Sequence, residues 1–214
     1  MEEFTTILND EIAEIVEKKS RFIVNIYHVE NVEEAEEKIR VTKKKYYDAK
    51  HNCIAYRVIE SGKVVEKASD DGEPSGTAGG PMLNILQKNN LCNLVVVVTR
   101  YFGGILLGTG GLVRAYSDAT QKAIAKSTKV QKVKGIEIKV ELEYPNLEIF
   151  KYYCKNKGIN IVKLEYSEDI MANLEMEENV KNIFLRDIKA KTLNIKNYKI
   201  MEMKYISKFV EKSN

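Results

Sequence analysis

The sequence predicts an α+β protein of two domains, the second a ferredoxin-like βαββαβ unit. Three observations carry this. Strand-like and helix-like periodicities alternate along the whole chain. The valine-rich run at 94–100 suits a strand buried on both faces. After Lys134-Gly135 the pattern restarts with the strictly alternating IEIKVELEY of 136–144. Domains are therefore expected over residues 1–134 and 135–214.

Residues 21–29 (RFIVNIYHV) alternate in part and are rich in β-formers, which predicts a first strand. Asn31, with Glu34 three residues on, reads as a capping box. Val32, Ala35, Ile39, Thr42 and Tyr46 then recur at helical spacing, predicting a helix over 32–45. Glu33, Glu34, Glu36 and Glu37 come first and Lys43, Lys44 and Lys45 last, an order that complements the helix dipole. The three lysines, followed by Tyr46 and Tyr47, suit either a solvated helix end or a nucleic-acid contact. Residues 51–60 and 63–68 read as a hairpin across Ser61-Gly62. After a loop at 69–80, Pro81 fits the first position of a short helix with Met82, Ile85 and Leu86. The buried strand at 94–100 follows. A helix then runs over about 110–127 with Leu112, Ala115, Tyr116, Ala119, Ala123 and Ile124 on one face.

In the second part, Pro145 follows the strand at 136–144 and opens a helix carrying Leu147, Phe150 and Cys154, which Gly158 closes. Residues 159–165 and 170–176 form a hairpin around Ser167-Glu168-Asp169. A helix over 180–189 and a strand region over 193–206 complete the unit.

Bulk composition bounds the function classes. With 214 residues, 44% hydrophobic and 30% charged, the chain is an ordinary globular sequence. No apolar run approaches the roughly 18 residues of a membrane span. The opening MEEFTTILNDE lacks the basic-then-apolar pattern of a secretory signal, so the cytoplasm is the expected location. The three cysteines, Cys53, Cys92 and Cys154, form no CxxC pair and indicate neither a zinc site nor a disulfide framework. A net charge of +3 permits a local basic patch without requiring one.

Three constellations can carry chemistry. Gly108-Thr109-Gly110-Gly111 enters a helix between Arg100 and Arg114, and small residues at a helix start let backbone N–H groups approach an anion. The same glycines also serve tight strand-to-helix packing. Asp70, Asp71 and Glu73 lie beside the hydroxyls of Ser75 and Thr77. That group suits a cation, acid–base work or the capping of its own turn. His51 and Cys53, two apart on a strand, face one side and form a weaker candidate nucleophile pair.

Several of these segments carry a resemblance. Lys19-Ser20-Arg21-Phe22, Asp48-Ala49-Lys50-His51-Asn52-Cys53 through Tyr56-Arg57, the loop from Ser69-Asp70-Asp71-Gly72-Glu73-Pro74 to Gly79, and the run from Val97 through Thr99-Arg100-Tyr101-Phe102-Gly103-Gly104 to Tyr116 resemble the IMPACT family, in its bacterial YigZ-type two-domain branch. The motifs are specific and span roughly residues 15–127. The resemblance implies a first domain with the β-α fold of a small-subunit ribosomal protein's second domain, including a left-handed β-α-β crossover. It also implies a second domain like domains III and V of elongation factor G. It further implies eukaryotic members that restrain a stress-activated translation-initiation kinase with the help of an additional amino-terminal RWD module, so that regulatory role is not expected to carry over intact.

The expected function is a non-enzymatic, translation-associated binding protein engaging RNA or ribosomal phosphates, with a translation-associated protein as a further partner. Lys19, Arg21, Arg57, Arg100 and Arg114 would contact phosphates, together with the backbone of Gly108, Thr109, Gly110 and Gly111. Tyr101 would offer a stacking surface. No cofactor or metal is expected. The alternative is an enzyme acting on a phosphorylated small molecule. It would require the glycine turn and the acidic loop of Asp70, Asp71, Glu73, Ser75 and Thr77 to converge on one pocket.

Overall fold

The computed structural model describes residues 3–208 as a mixed α+β chain. Its contacts divide into two compact units, Glu3–Gln131 and a second from Lys132 onward.

The first unit comprises β1 (Glu3–Ile7), β2 (Glu11–Glu17), β3 (Ser20–His28), α1 (Val32–Lys45), β4 (His51–Glu60), β5 (Lys63–Ser69), α2 (Gly79–Lys88), β6 (Leu94–Tyr101) and α3 (Gly108–Lys126). Its main sheet has the order β2-β3-β6-β4-β5, with every neighbouring pair antiparallel. β3 and β4 both flank β6, so they run parallel to each other and are joined by α1. The valine run is buried on both faces. Val96 and Val98 pack with Met82, Leu112 and Tyr116 under α2 and α3, while Val95 and Val97 pack with Ala35 and Ile39 of α1. The Asn31 cap forms, with the Glu34 N–H donating to Asn31 Oδ1 at 2.8 Å. The Glu34 carboxylate accepts from the Glu30 N–H at 2.8 Å and the Asn31 side-chain amide at 3.2 Å, instead of the Asn31 N–H of a strict capping box.

Two strands precede the predicted first one. β2 forms a hairpin with β3 and turns Ala13 and Ile15 toward the core. β1 is held by distant backbone: Thr5 bonds Asn90 and Cys92, and the Leu8 N–H donates to the Thr128 carbonyl at 2.9 Å. α2 begins at Gly79, so Pro81 stands at its third position rather than its first.

The second unit takes up most of β7 (Lys129–Leu142), whose opening residues still belong to the first unit. A 3-10 turn at Tyr144–Asn146 holds Pro145, and α4 (Leu147–Asn156), β8 (Asn160–Tyr166), β9 (Ile170–Glu177), α5 (Glu178–Lys189) and β10 (Asn197–Ser207) follow. The element order is βαββαβ and the strand order β10-β7-β9-β8, antiparallel throughout. Alternation along β7 buries Ile136, Ile138, Val140 and Leu142 against Phe150, Cys154 and Phe184 of the two helices. Among the described residues no helix is long and apolar enough to cross a membrane.

Candidate functional site

The end of β6 sits on a buried polar cluster. Arg100 donates to Glu73 Oε1 at 2.7 Å, and the Tyr116 hydroxyl donates to the same oxygen at 2.8 Å. The Arg100 and Glu73 side chains are only 7% and 3% exposed. The guanidinium also lies against the rings of Phe22 and Phe102, at 5.5 and 5.6 Å, and its Nε has no partner. Arg100 is therefore not the free phosphate donor that the sequence suggests: its charge is spent on Glu73 beneath the surface. Arg57 departs from expectation in the same way. It bonds Glu66 at 2.7 Å and reaches the Leu86 and Leu91 carbonyls at the end of α2, opposite Leu94 and at the far end of the sheet from Arg100.

The carboxylates of the acidic loop are likewise engaged within the first unit. Asp70 accepts N–H bonds from Gly76, Ala78 and Gly79 at 2.8–2.9 Å, capping the start of α2 from outside the helix. Asp71 pairs with Lys43 at 2.6 Å and accepts from the Asn52 N–H at 2.7 Å. Thr77 donates to the Pro74 carbonyl at 2.7 Å, and Ser75 is exposed. No group of three or more His, Cys, Asp or Glu side chains placed to hold a metal occurs among the described residues.

Burial works to raise the Asp70 carboxyl, but the three N–H donors outweigh it and hold the group below its ordinary value of 3.8. Its contribution to stability is therefore complete above that value and is lost as pH falls through the lower folded value. Asp70→Ala is expected to cost roughly 2 kcal/mol near neutrality, by analogy with lost caps and charged hydrogen bonds. Urea unfolding should show that deficit shrinking as the pH is taken well below 3.8. A deficit independent of pH would contradict the capping role.

The His51–Cys53 pair has no nucleophile chemistry available. Burial pushes the Cys53 thiol up to about 12, the Tyr116 hydrogen bond opposing and Glu73, Asp71 and Asp70 adding to the rise. Cys53 donates to the Asp70 carbonyl, and His51 Nδ1 donates to the Asp71 carbonyl at 2.9 Å. Both residues hold the loop.

What remains at this end of the sheet is exposed and basic. The β2–β3 turn places Lys18 and Lys19 at φ +46° and +65°, the left-handed pair that a type I′ turn requires. The Gly103 backbone packs against that turn so closely that a Cβ there would lie 2.0 Å from the Lys19 carbonyl carbon. The Gly103 N–H donates to Ser20 Oγ at 3.2 Å. Beyond the loop, α3 starts with Gly108, Thr109 and Gly110 exposed, no side-chain cap and no acidic residue in its first turn. Arg21 and Tyr101 face each other at 6.0 Å, Arg21 held by Glu14 and the Tyr101 hydroxyl by Asp48. Lys18, Lys19, Lys44, Lys50 and Arg114 have no ion-pair partner among the described residues. A cleft of about 170 Å³ beside Gly111 and Arg114 is lined also by Ile15, Glu17, Lys18 and Asp118, so two carboxylates share it with two cations, and no residue of the acidic loop is among its walls.

The structure thus gathers Lys19, Arg21, Tyr101, Gly108, Thr109, Gly110, Gly111 and Arg114 at one end of the first unit. It sends Arg57 elsewhere and buries Arg100. Sequence reasoning missed Lys18 and Phe102, whose placement depends on the hairpin turn and its contact with Gly103.

Residues 18–124 match the family described as the Impact N-terminal domain. The chain is 38% identical to IMPACT family member YvyE of Bacillus subtilis (strain 168), over 92% of this chain and 90% of that protein. It is 40% identical to IMPACT family member YigZ of Escherichia coli (strain K12), over 67% of this chain and 72% of that one. A solved structure described as the crystal structure of a hypothetical protein aligns with a TM-score of 0.61 at 31% identity, covering 91% of this chain and 97% of that one. With that domain match and relatives at these identities along most of their length, the protein belongs to the IMPACT family.

Proposed function

We propose that the basic end of the first unit binds RNA, as part of a non-enzymatic role in translation or its regulation in the cytoplasm. The observation that carries this reading is the Lys18-Lys19 turn. Left-handed backbone costs a non-glycine residue roughly 1–2 kcal/mol, and an Asn-Gly pair would make the same turn more cheaply. Two unpaired lysines held there, beside an uncapped helix start and Arg114, make sense where they meet phosphates. The family resemblance, which implies eukaryotic members that restrain a translation-initiation kinase, suggests the translation setting. In the same reading the first unit carries the left-handed crossover of the ribosomal-protein fold, and the second resembles domains III and V of elongation factor G. Ribosomal RNA and a translation-associated protein are the partners this suggests. The enzyme alternative gains nothing from the geometry, because the carboxylates of the acidic loop are already engaged, Asp70 by its own turn, Asp71 by Lys43 and the Asn52 N–H, and Glu73 by Arg100 and Tyr116.

The test separates binding from stability. The double substitution Lys18→Asn/Lys19→Gly removes two cations and relaxes the turn. Thermal melting should rise, while affinity for single-stranded RNA falls and the slope of log K against log salt flattens by about 1.4, at roughly 0.7 per lost contact. An unchanged slope would refute phosphate contact at this turn.

A further inference from the structure

We infer that the nucleic acid taken up here is single-stranded RNA whose unstacked bases lie on the exposed rings of Tyr47 and Phe102. This rests on the RNA reading above and specifies its ligand. Tyr47, just past the end of α1, is 85% exposed, and Phe102, just past β6, is 56% exposed. Phe102 has the buried Arg100 guanidinium against it, so its exposed area is the part turned away from that contact. Its position is fixed from below, since the next residue, Gly103, is pinned to Ser20 and packed on the Lys19 backbone. A ring held in place loses little freedom when a base settles on it.

The neighbouring aromatics repeat the pairing of ring and cation. Lys45 lies 5.0 Å from the Tyr46 ring and Arg21 lies 6.0 Å from the Tyr101 ring. Cations interleaved with aromatic faces are what a backbone with splayed bases needs: phosphates meet the charges and bases meet the rings. A duplex satisfies only half of this arrangement. Its bases are already paired and stacked, and its grooves present phosphates and hydroxyls. Free phosphate or polyphosphate would use the lysines and leave both rings idle.

Fluorescence anisotropy on the full chain tests the inference with three probes at matched ionic strength. These are a single-stranded oligouridylate of about a dozen nucleotides, an RNA duplex of the same length, and inorganic polyphosphate as a base-free polyanion. The oligouridylate should bind tightest. Tyr47→Ala and Phe102→Leu, the latter keeping apolar cover over Arg100, should each weaken it by roughly fivefold to a hundredfold. Affinity for polyphosphate and the melting temperature should stay unchanged. Equal affinity for single strand and duplex, with neither variant having an effect, would overturn the stacking inference while leaving the polyanion reading standing. No binding of any of the three would overturn both.

Discussion

Glu73→Leu is expected to destabilise the first unit by about 3–5 kcal/mol, because it strands a buried guanidinium. Arg100 has one strong charged partner, Glu73 at 2.7 Å, and a long contact to Ser20 at 3.5 Å, while its Nε is already unsatisfied. Removing the carboxylate also takes the acceptor from the buried Tyr116 hydroxyl. Arg100→Met alone should be costly for the converse reason, leaving an unpaired carboxylate. The double variant Glu73→Leu/Arg100→Met should recover most of the loss, since apolar replacements for a whole buried pair are often nearly neutral. Urea unfolding of the four proteins forms a double-mutant cycle. Simple additivity of the two single losses would show that the pair is not a coupled unit. The same double variant checks the reassignment of Arg100. If its charge is internal, RNA affinity and its salt dependence should match those of the parent.

The extent to which the site was legible follows from how far apart its partners lie in sequence. The fate of Arg57 was readable in principle. A two-residue turn at Ser61-Gly62 sets the register Glu60↔Lys63, which puts Arg57 directly opposite Glu66. Arg100 and Glu73 are 27 residues apart, and only the tertiary fold brings them together. Local chemistry likewise announced the cap at Asn31, the buried valine strand and the alternation of β7. β1 left little trace because it is five residues long and its hydrogen bonds go to residues some 90 and 120 positions away. β2 alternates only weakly, as a half-exposed edge strand does. The Lys18-Lys19 turn was invisible because neither residue is a usual occupant of left-handed backbone. Motif resemblance marked where the site lies, whereas the division of its cations into buried and free came from packing.

The glycines between β6 and α3 yield an expected result of opposite sign at two nearby positions. Gly103→Ala would place its Cβ 2.0 Å from the Lys19 carbonyl carbon and 2.4 Å from the Ser20 nitrogen. Both are backbone atoms of a hairpin that pairs along its whole length, so no side chain can swing aside to make room. The expected cost is about 3 kcal/mol or more, at the upper end for overpacking, with Lys18, Lys19 and Phe102 displaced from one another. RNA binding should fall with it. Gly110 is different: a Cβ there meets nothing within 4 Å, and its backbone is not left-handed. Nothing in the fold demands glycine at Gly110, and in a helix glycine costs stability relative to alanine. Gly110→Ala should therefore raise stability by about 0.5 kcal/mol. If the helix start receives a phosphate, the added methyl stands in the approach and RNA affinity falls even as the melting temperature rises. Stability and binding would then move together at Gly103 and apart at Gly110, a divergence that a purely architectural role for the turn does not produce. Gain of stability with undiminished affinity in Gly110→Ala would remove the α3 start from the RNA-binding surface and leave the contact to the lysine turn and the aromatic rings.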